Sequence, residues 1–269
     1  MQTLTRQHPV CGEGHFRGGS PIRSADHLAV RSRIVHGLKA LVFDVFGTLV
    51  DWRTSVAREA SDALGSLGVN LDWDAFADAW RDQYEPGMED VRSGRLPFSK
   101  LDVLHRRNLD VVIAGLGLDH VDEATRADLN LAWHRLDAWP DVQTGLARLR
   151  TCYLVAPCSN GNISLMVDLA RHNGLTWDAI LGAELARDYK PKPSVFLSSA
   201  AALDCAPEET MMVAAHSDDL AAAASARLRT AFVARPNEHG PDRGESHAAV
   251  AVDLSVRSLP ELADRLGCP

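Results

Sequence analysis

The sequence has 269 residues, and its 36 acidic and 28 basic side chains give a formal net charge of −8. Hydrophobic residues make up 46% and charged residues 24%, proportions typical of a globular chain, so disorder over the whole length is excluded. The acidic balance disfavours nucleic acid as the main partner. No apolar run reaches the ~18 residues that a membrane helix needs. A small anionic substrate would require several cationic side chains close together in its binding site.

The amino-terminal segment, residues 1–36, mixes glycine, proline, histidine and arginine and contains no apolar run of the kind found in secretory signals. We expect it to be a weakly ordered extension without a role in the chemistry. The five cysteines of the chain are scattered and form no CxxC pair. This spacing disfavours a zinc site or a disulfide framework and favours a reducing, cytoplasmic location.

The first predicted element is a buried strand over residues 38–43, which delivers Asp44 to a turn containing Gly47 and Thr48. Helical periodicity follows for about eighty residues. The predicted helices cover residues 54–67, 73–84, 98–116 and 122–136. In the second of them, Trp80 and Tyr84 belong to an apolar face with three- and four-residue spacing.

Strands and helices alternate beyond Pro140. The predicted strands cover residues 153–158, 179–181, 210–215, 230–234 and 250–252, and the predicted helices cover residues 163–173, 193–203, 219–226 and 259–266. This alternation indicates a parallel sheet with right-handed crossovers. We therefore predict an α/β fold with a parallel-sheet core of residues 37–53 and 137–269. A helical cap of residues 54–136 is inserted above the carboxyl edge of the sheet.

Four loops at predicted strand ends carry the polar residues of interest. They contain Asp44 with Thr48, Ser159 with Asn160, Lys190, and residues 216–219. An aspartate beside a glycine turn, or a lysine before a proline, is commonly structural when it occurs alone. Ligands of open parallel sheets bind beyond the carboxyl ends of the strands, so we expect these four loops to converge on one site.

These loops resemble the motifs of the haloacid dehalogenase superfamily. The matching segments are Phe43-Asp44-Val45-Phe46-Gly47-Thr48-Leu49, Ser159-Asn160-Gly161, Tyr189-Lys190-Pro191-Lys192-Pro193 and the segment 213–220. The resemblance covers residues 38–266 and implies a Rossmann-like core with a nucleophilic Asp44. Most members are Mg²⁺-dependent phosphatases, which need a second aspartate two residues after the nucleophile to protonate the leaving group. Phe46 occupies that position here, which favours a metal-free branch.

That branch is the (S)-2-haloacid dehalogenases, which the chain resembles in the aromatic Phe46 and in the Trp80-Arg81 pair. The resemblance implies that the Asp44 carboxylate displaces halide from a short 2-haloalkanoic acid and that water then hydrolyses the aspartyl ester to a 2-hydroxy acid. It also implies a homodimer without metal or organic cofactor.

The resemblance assigns roles to further side chains. Lys190 would keep Asp44 ionised, and Asp219 would orient Lys190 or water. The residues that would bind the substrate or the departing halide are Thr48, Phe46, Trp52, Arg81, Ser159 and Asn160. His216 is a candidate base for the ester-cleaving water, because the pKa of an unperturbed histidine is ~6.5, and Glu59 on the first cap helix is its expected acidic partner.

Two other functions stay open at this point. One is a Mg²⁺-dependent phosphatase of the same fold that uses Asp44 with Asp218 or Asp219. The other is a non-catalytic fold that binds a small acid, although such a protein has no need for a nucleophile. The chain length, stereochemistry and halogen of the substrate do not follow from the sequence.

Overall fold

The computed structural model describes residues 36–269. Residues 1–35 of the expected extension therefore lie outside the described residues. The strands of the described part are β1 (Ala40–Phe43), β2 (Val50–Asp51), β3 (Asp137–Ala138), β4 (Leu154–Ser159), β5 (Leu181–Gly182), β6 (Thr210–Ala214), β7 (Arg229–Val233) and β8 (Leu254–Val256).

Helices lie between these strands. They are α1 (Trp52–Gly65), α2 (Trp73–Asp82), α3 (Tyr84–Arg92), α4 (Leu101–Gly115), α5 (Glu123–Asn130), α6 (Val142–Arg150), α7 (Ile163–Asn173), α8 (Ala183–Ala186), α9 (Pro193–Ala202), α10 (Ser217–Ser225) and α11 (Leu259–Leu266). Short 3₁₀ segments cover Leu131–His134 and Pro207–Glu209.

A six-stranded parallel sheet in the order β5-β4-β1-β6-β7-β8 forms the centre of the protein. Every residue of β1 is fully buried, as expected for a central parallel strand that helices cover on both faces. Phe43, at the end of β1, pairs with Pro157 of β4 on one side and Val213 of β6 on the other. The loops that follow these three strands are therefore neighbours, and the predicted α/β fold is confirmed.

A two-stranded antiparallel ribbon lies where the helical insertion leaves and re-enters the core. β2 pairs with β3, with Val50 opposite Ala138 and Asp51 opposite Asp137. Helices α1 to α5 all lie between these two strands in the chain. We propose that the ribbon is the base of the cap; the cap boundaries at residues 54 and 136 stay predictions.

The predicted ends of the cap helices shift in the structure. The first helix begins at Trp52 because Asp51, not Thr54, is its N-cap: the Asp51 carboxylate accepts a hydrogen bond from the Thr54 amide at 3.1 Å. The predicted helix over residues 73–84 ends at Asp82, and a separate helix begins at Tyr84.

The predicted strand over residues 250–252 is wrong. The last strand is β8, in which Leu254 pairs with Ala231 of β7. Asp253, just before it, accepts a hydrogen bond from the Thr230 amide at 2.8 Å and fixes the start of this pairing. The polar Asp253 and Ser255 flank a single buried leucine, so the short strand lacks the apolar run that marked the other strands.

His134 joins the helical insertion to the core. Its ring nitrogens contact Asp168 of α7 at 2.8 Å and Asp102 of α4 at 3.0 Å. Asn162, in the loop after β4, also donates to Asp102 at 2.8 Å. Burial opposes a charge on His134, but the two carboxylates outweigh it and raise its pKa. The two carboxylates therefore favour the imidazolium form of His134, which bridges the two parts of the chain.

Replacing His134 with asparagine is expected to reduce the free energy of unfolding by about 2 kcal/mol at pH 6 and by less at pH 9. The pKa of His134 is raised on folding, so its contribution is complete below the unfolded value of ~6.5 and is lost as pH rises through the folded value. Urea unfolding at both pH values measures the difference. The exposed His120→Asn variant is the control, and a pH-independent loss in His134→Asn would contradict the charged bridge.

Candidate active site

The carboxyl ends of the central strands and the helical insertion enclose a cavity of about 440 Å³. This volume lies within the range of small-molecule sites. Core loops contribute Asp44, Asn160, Lys190, His216 and Asp219 to its lining. The insertion and the turn after β1 contribute Phe46, Arg81, Tyr84 and Arg92. The four polar loops predicted from the sequence thus converge on one site.

Lys190 connects the two carboxylates on the floor of this cavity. Its Nζ donates to Asp44 Oδ1 at 2.8 Å and also to Asp219 Oδ2. Burial alone would raise the pKa of Asp44, but the charges of Lys190 and His216 outweigh it and hold that pKa far below its usual value. Burial raises the pKa of Asp219, against the effect of Lys190. Of the two carboxyl groups, Asp44 is therefore the one whose ionised form its surroundings favour more strongly.

The second oxygen of Asp44 has two more neighbours. Thr48 Oγ1 donates to Asp44 Oδ2 at 2.7 Å, and His216 Nδ1 lies 3.1 Å from the same oxygen. The Thr48 hydroxyl in turn accepts a hydrogen bond from the Ala215 amide at 2.8 Å. Its single proton is thus already donated to Asp44. The Thr48 hydroxyl therefore orients the candidate nucleophile, and the expectation that Thr48 binds the substrate or the departing halide stays a prediction.

The partner of His216 is Glu238, from the loop after β7. His216 Nε2 lies 2.9 Å from Glu238 Oε2, and Glu238 is only 2% exposed. Trp52 Nε1 donates to Glu238 Oε1 at 3.1 Å. Burial opposes the charge of His216, but Glu238 and Asp44 outweigh it and hold the pKa of His216 well above its usual value.

The predicted pairing of His216 with Glu59 is wrong. Glu59 lies on the outer side of α1, where its carboxylate accepts from Arg135 Nε at 2.5 Å and from Arg58 Nη2 at 3.1 Å. Two guanidinium groups therefore neutralise it, and it is absent from the lining of the cavity.

Gly47 is what allows Glu238 to reach the site. Its backbone has φ +82°, and a Cβ at this position would lie 2.0 Å from Glu238 Oε1. A side chain at residue 47 would thus both strain the backbone and displace the carboxylate from His216. The position of the Glu238 carboxylate therefore depends on glycine at residue 47.

Arg81 and Phe46 both line the cavity. The Arg81 guanidinium lies 3.9 Å from the ring centroid of Tyr84 and 5.4 Å from that of Trp52, and its buried Nη1 has no hydrogen-bond partner among residues 36–269. The Phe46 ring packs edge-on against Tyr84. This arrangement leaves a cationic donor available beside apolar walls.

The remaining predicted ligand-binding residues have different positions. Asn160 lines the cavity; its Oδ1 accepts from the Lys190 amide at 2.9 Å, and its side chain also forms a hydrogen bond with Tyr84. Ser159 is fully buried, and its hydroxyl accepts from the Gly161 amide at 3.0 Å. Neither Ser159 nor Trp52 belongs to the cavity lining; Trp52 acts instead on Glu238.

A metal ion is the alternative ligand for this set of side chains. Among residues 36–269, the group that could supply three metal-ligating atoms within 4.8 Å of one another is Asp44, His216 and Asp219. The Lys190 ammonium group already donates to both carboxylates, however. Because a fixed cation neutralises the pair, the donor set does not fit a divalent ion.

A larger cavity of about 700 Å³ lies against α6 and residues 174–176. Its lining includes Arg148 and Arg150, but none of the residues from the four polar loops. The paired carboxylates, the buried lysine and the histidine all lie at the smaller cavity. The chemistry therefore belongs there.

Comparison with known proteins agrees with this geometry. Residues 38–227 match the family model of the haloacid dehalogenase-like hydrolases. The chain belongs to this family. It is 30% identical over 235 residues to (S)-2-haloacid dehalogenase 1 of Pseudomonas sp. (strain CBS-3), covering 85% of this chain and 98% of the relative.

Solved structures of haloacid dehalogenases share the fold of this family member. A defluorinating L-2-haloacid dehalogenase superposes with a TM-score of 0.84 and 41% identity, covering 86% of this chain and 96% of the other. The L-2-haloacid dehalogenase of Xanthobacter autotrophicus with chloropropionic acid covalently bound gives a TM-score of 0.72 and 26% identity, covering 84% and 97%. Within residues 36–269, the haloacid dehalogenase-like chain has no helix long and apolar enough to cross a membrane.

Proposed function

We propose that this protein hydrolyses short (S)-2-haloalkanoic acids to 2-hydroxy acids through an ester on Asp44. The observation that supports it most directly is the pair formed by Asp44 and Lys190: a buried carboxylate, held ionised by a buried ammonium group, faces a small cavity. The apolar Phe46 lines the same cavity. The (S) preference and the haloacid class rest on the relatives described above.

In the first half-reaction, an Asp44 oxygen attacks C2 of the substrate. A bond forms between that oxygen and C2, and the carbon–halogen bond breaks with its electron pair leaving on the halide. The halide needs donors in a largely dry pocket, which Arg81 Nη1 and the Asn160 amide supply. Neither the lysine nor the histidine has to transfer a proton in this step.

In the second half-reaction, water attacks the carbonyl carbon of the ester, and His216 accepts one of its protons. The bond between that carbon and the ester oxygen then breaks, and this oxygen takes the proton from His216 and leaves as the hydroxyl of the 2-hydroxy acid. The water oxygen completes the Asp44 carboxylate, and the second water proton passes to solvent. In the resting protein Asp44 helps to keep His216 charged, which would prevent it from acting as a base. Esterification removes the negative charge of Asp44, so the pKa of His216 falls when a base is needed. Glu238 then stabilises the imidazolium that forms. The order of the two steps follows from this change of charge.

A halide-release assay tests the proposal. We expect release from chloroacetate, bromoacetate and (S)-2-chloropropionate, slower release from fluoroacetate because the C–F bond is stronger, and little from (R)-2-chloropropionate. EDTA should leave these rates unchanged, whereas a Mg²⁺-dependent phosphatase would lose its activity. No halide from any of these acids would overturn the proposal, and EDTA-sensitive hydrolysis of p-nitrophenyl phosphate would favour the phosphatase.

A further inference from the structure

Arg92, the last residue of α3, reaches from the helical insertion to the core. Its side chain is 10% exposed, and its Nη1 donates to the backbone carbonyl of Lys190 at 2.8 Å. Both residues line the active-site cavity, although 98 positions separate them in the sequence. Lys190 is also the residue whose ammonium group pairs with Asp44. A residue of the insertion therefore contacts the backbone of the lysine that neighbours the candidate nucleophile.

The backbone of Lys190 is held on both sides of its Cα atom. Its amide donates to Asn160 Oδ1 of the core at 2.9 Å, and its carbonyl accepts from Arg92 of the insertion. Together these two hydrogen bonds fix the direction in which the side chain leaves the backbone. A lysine side chain is long and flexible, so its ammonium group keeps one position most easily when the start of the side chain is fixed.

The residue before Lys190 makes a second contact with the insertion. Tyr189 is fully buried, and its hydroxyl donates to the Ser99 carbonyl at 2.7 Å. Its ring packs against Phe98 with the centroids 5.6 Å apart. Ser99 and Phe98 lie in the segment that joins α3 to α4. The insertion therefore holds two consecutive residues of the loop that carries the lysine.

Two acidic neighbours of Arg92 keep its guanidinium in this position. Nη2 donates to Glu85 at 2.8 Å and Nε donates to Glu89 at 2.9 Å, while Nη1 is directed at the Lys190 carbonyl. Both carboxylates belong to α3, and more than half of each side chain is exposed. Because they offset the positive charge of Arg92, its contact with Lys190 is expected to affect Asp44 more than its charge does.

We propose that Arg92 is a positioning residue, which couples the docking of the insertion on the core to the placement of the Lys190 ammonium group beside Asp44. This inference rests on the proposed function. With Arg92 in contact, the ammonium group donates to Asp44 Oδ1 at 2.8 Å and holds the carboxylate for attack on C2. Arg92 itself transfers no proton in this scheme. A displacement of about 1 Å in such a group can lower a rate about 10²-fold, so the coupling is measurable.

The test compares Arg92→Met, which removes the donors but keeps an unbranched side chain, with Arg92→Lys, which keeps a charge and a donor. Bromide release from bromoacetate is followed in a single turnover with the protein in excess. At saturating protein, this rate constant does not depend on the fraction of unfolded molecules. We expect Arg92→Met to lower it about 10- to 100-fold with half-saturation unchanged within about twofold, and Arg92→Lys to restore most of the rate.

Arg95→Met is the matched control for this comparison. The Arg95 guanidinium is bound to Asp90 at 2.9 Å, and its side chain is 60% exposed. This variant should keep the wild-type rate constant. Urea unfolding of the variants separates a change in stability from a change in rate. A purely structural Arg92 would lower the free energy of unfolding and leave the single-turnover rate constant unchanged, which would contradict the inference.

The acid side of the pH profile gives a second readout. Burial raises the pKa of Asp44, and the charge of Lys190 lowers it. If the ammonium group is displaced in Arg92→Met, the pKa of Asp44 rises, and the single-turnover rate should fall at a pH where the wild-type rate is still constant. His216 and Asp219 also lie close to Asp44, but they are the same in both proteins, so the difference between the two profiles reports on Lys190.

Equal rate constants and equal pH profiles in Arg92→Met and the wild-type protein overturn the inference while leaving the proposed function intact. An unchanged rate constant with weaker half-saturation also overturns it, because Arg92 would then bind the substrate instead of positioning Lys190. If Arg92→Met does not fold, Arg92→Gln decides by the same measurements against Arg92→Lys. Failure of the wild-type protein to release any halide overturns both proposals.

Discussion

The Asp44→Asn variant is expected to lose halide release by at least about 10⁴-fold, because the amide cannot displace halide and no neighbouring group has the same position. Thr48 and Lys190 donate to different oxygens of Asp44, at 2.7 and 2.8 Å, so asparagine keeps the shape of the side chain but can accept only one of these two hydrogen bonds. Chloride release measured by ion-selective electrode or by chromatography gives the rate.

The matched control is Asp62→Asn, the same change at an exposed aspartate of α1, which should leave the rate unaltered. Circular dichroism of both variants checks that the fold is retained. Halide release from Asp44→Asn within tenfold of the wild-type rate would assign the nucleophile to another group, and Asp219 would be the first candidate.

Substitution of His216 by glutamine, or of Glu238 by glutamine, is expected to stop the reaction after the first half. Each active site should then release one halide rapidly, and turnover should fall about 10²- to 10⁴-fold, because the general base or its partner is missing. Intact-protein mass spectrometry should show the carboxyalkyl group on Asp44 as the trapped ester. In the wild-type protein, the same ester should accumulate as pH falls, because His216 then stays protonated.

Glu59→Gln provides the control for this pair, since Glu59 is an acidic residue of the insertion that is bound to Arg135 instead of His216. It should turn over many substrate molecules per active site at the wild-type rate. Continuous turnover by His216→Gln without an ester, or ester accumulation in Glu59→Gln, would show that the water-activating pair is not His216 and Glu238.

The convergence of the four polar loops was predictable because the carboxyl ends of adjacent parallel strands lie at the same edge of the sheet. Asp44, Asn160 and Asp219 follow strands that are adjacent at the centre of the sheet, so an apolar run with a polar residue at its end was sufficient to locate each of them. Lys190 was recognisable from its motif. Its contacts with Asp44 and Asp219 could not be predicted, because the side chain alone makes them and Asp44 lies 146 residues away in the sequence.

Glu238 was missed because no local pattern marks it. It follows β7 in a polar loop, and its function depends on a contact with a histidine in a different loop. An available signal was the position of this loop, at the carboxyl end of the strand next to β6. Glu59 was chosen instead because helix α1 begins near the site, but the helical twist turns residue 59 toward Arg135.

The burial of His105 could not be predicted, for a different reason. On α4, its neighbours Leu104 and Leu109 give it the appearance of a polar interruption in an apolar face. Whether a histidine in such a face is exposed or buried, charged or neutral, depends on what packs over it. Trp133, from a segment 28 residues later, is what buries the ring, and no spacing rule connects the two.

The ribbon of β2 and β3 has a consequence for how such proteins diversify. Because Val50 and Ala138 are paired, the insertion between them is equivalent, for the core, to a loop between two neighbouring strands. The entropy of closing a loop grows only slowly with its length, by about 0.6 kcal/mol for each doubling. Residues of the insertion that line the cavity, such as Arg81 and Tyr84, can therefore be exchanged or repacked as a module, while the candidate nucleophile and its lysine keep their positions.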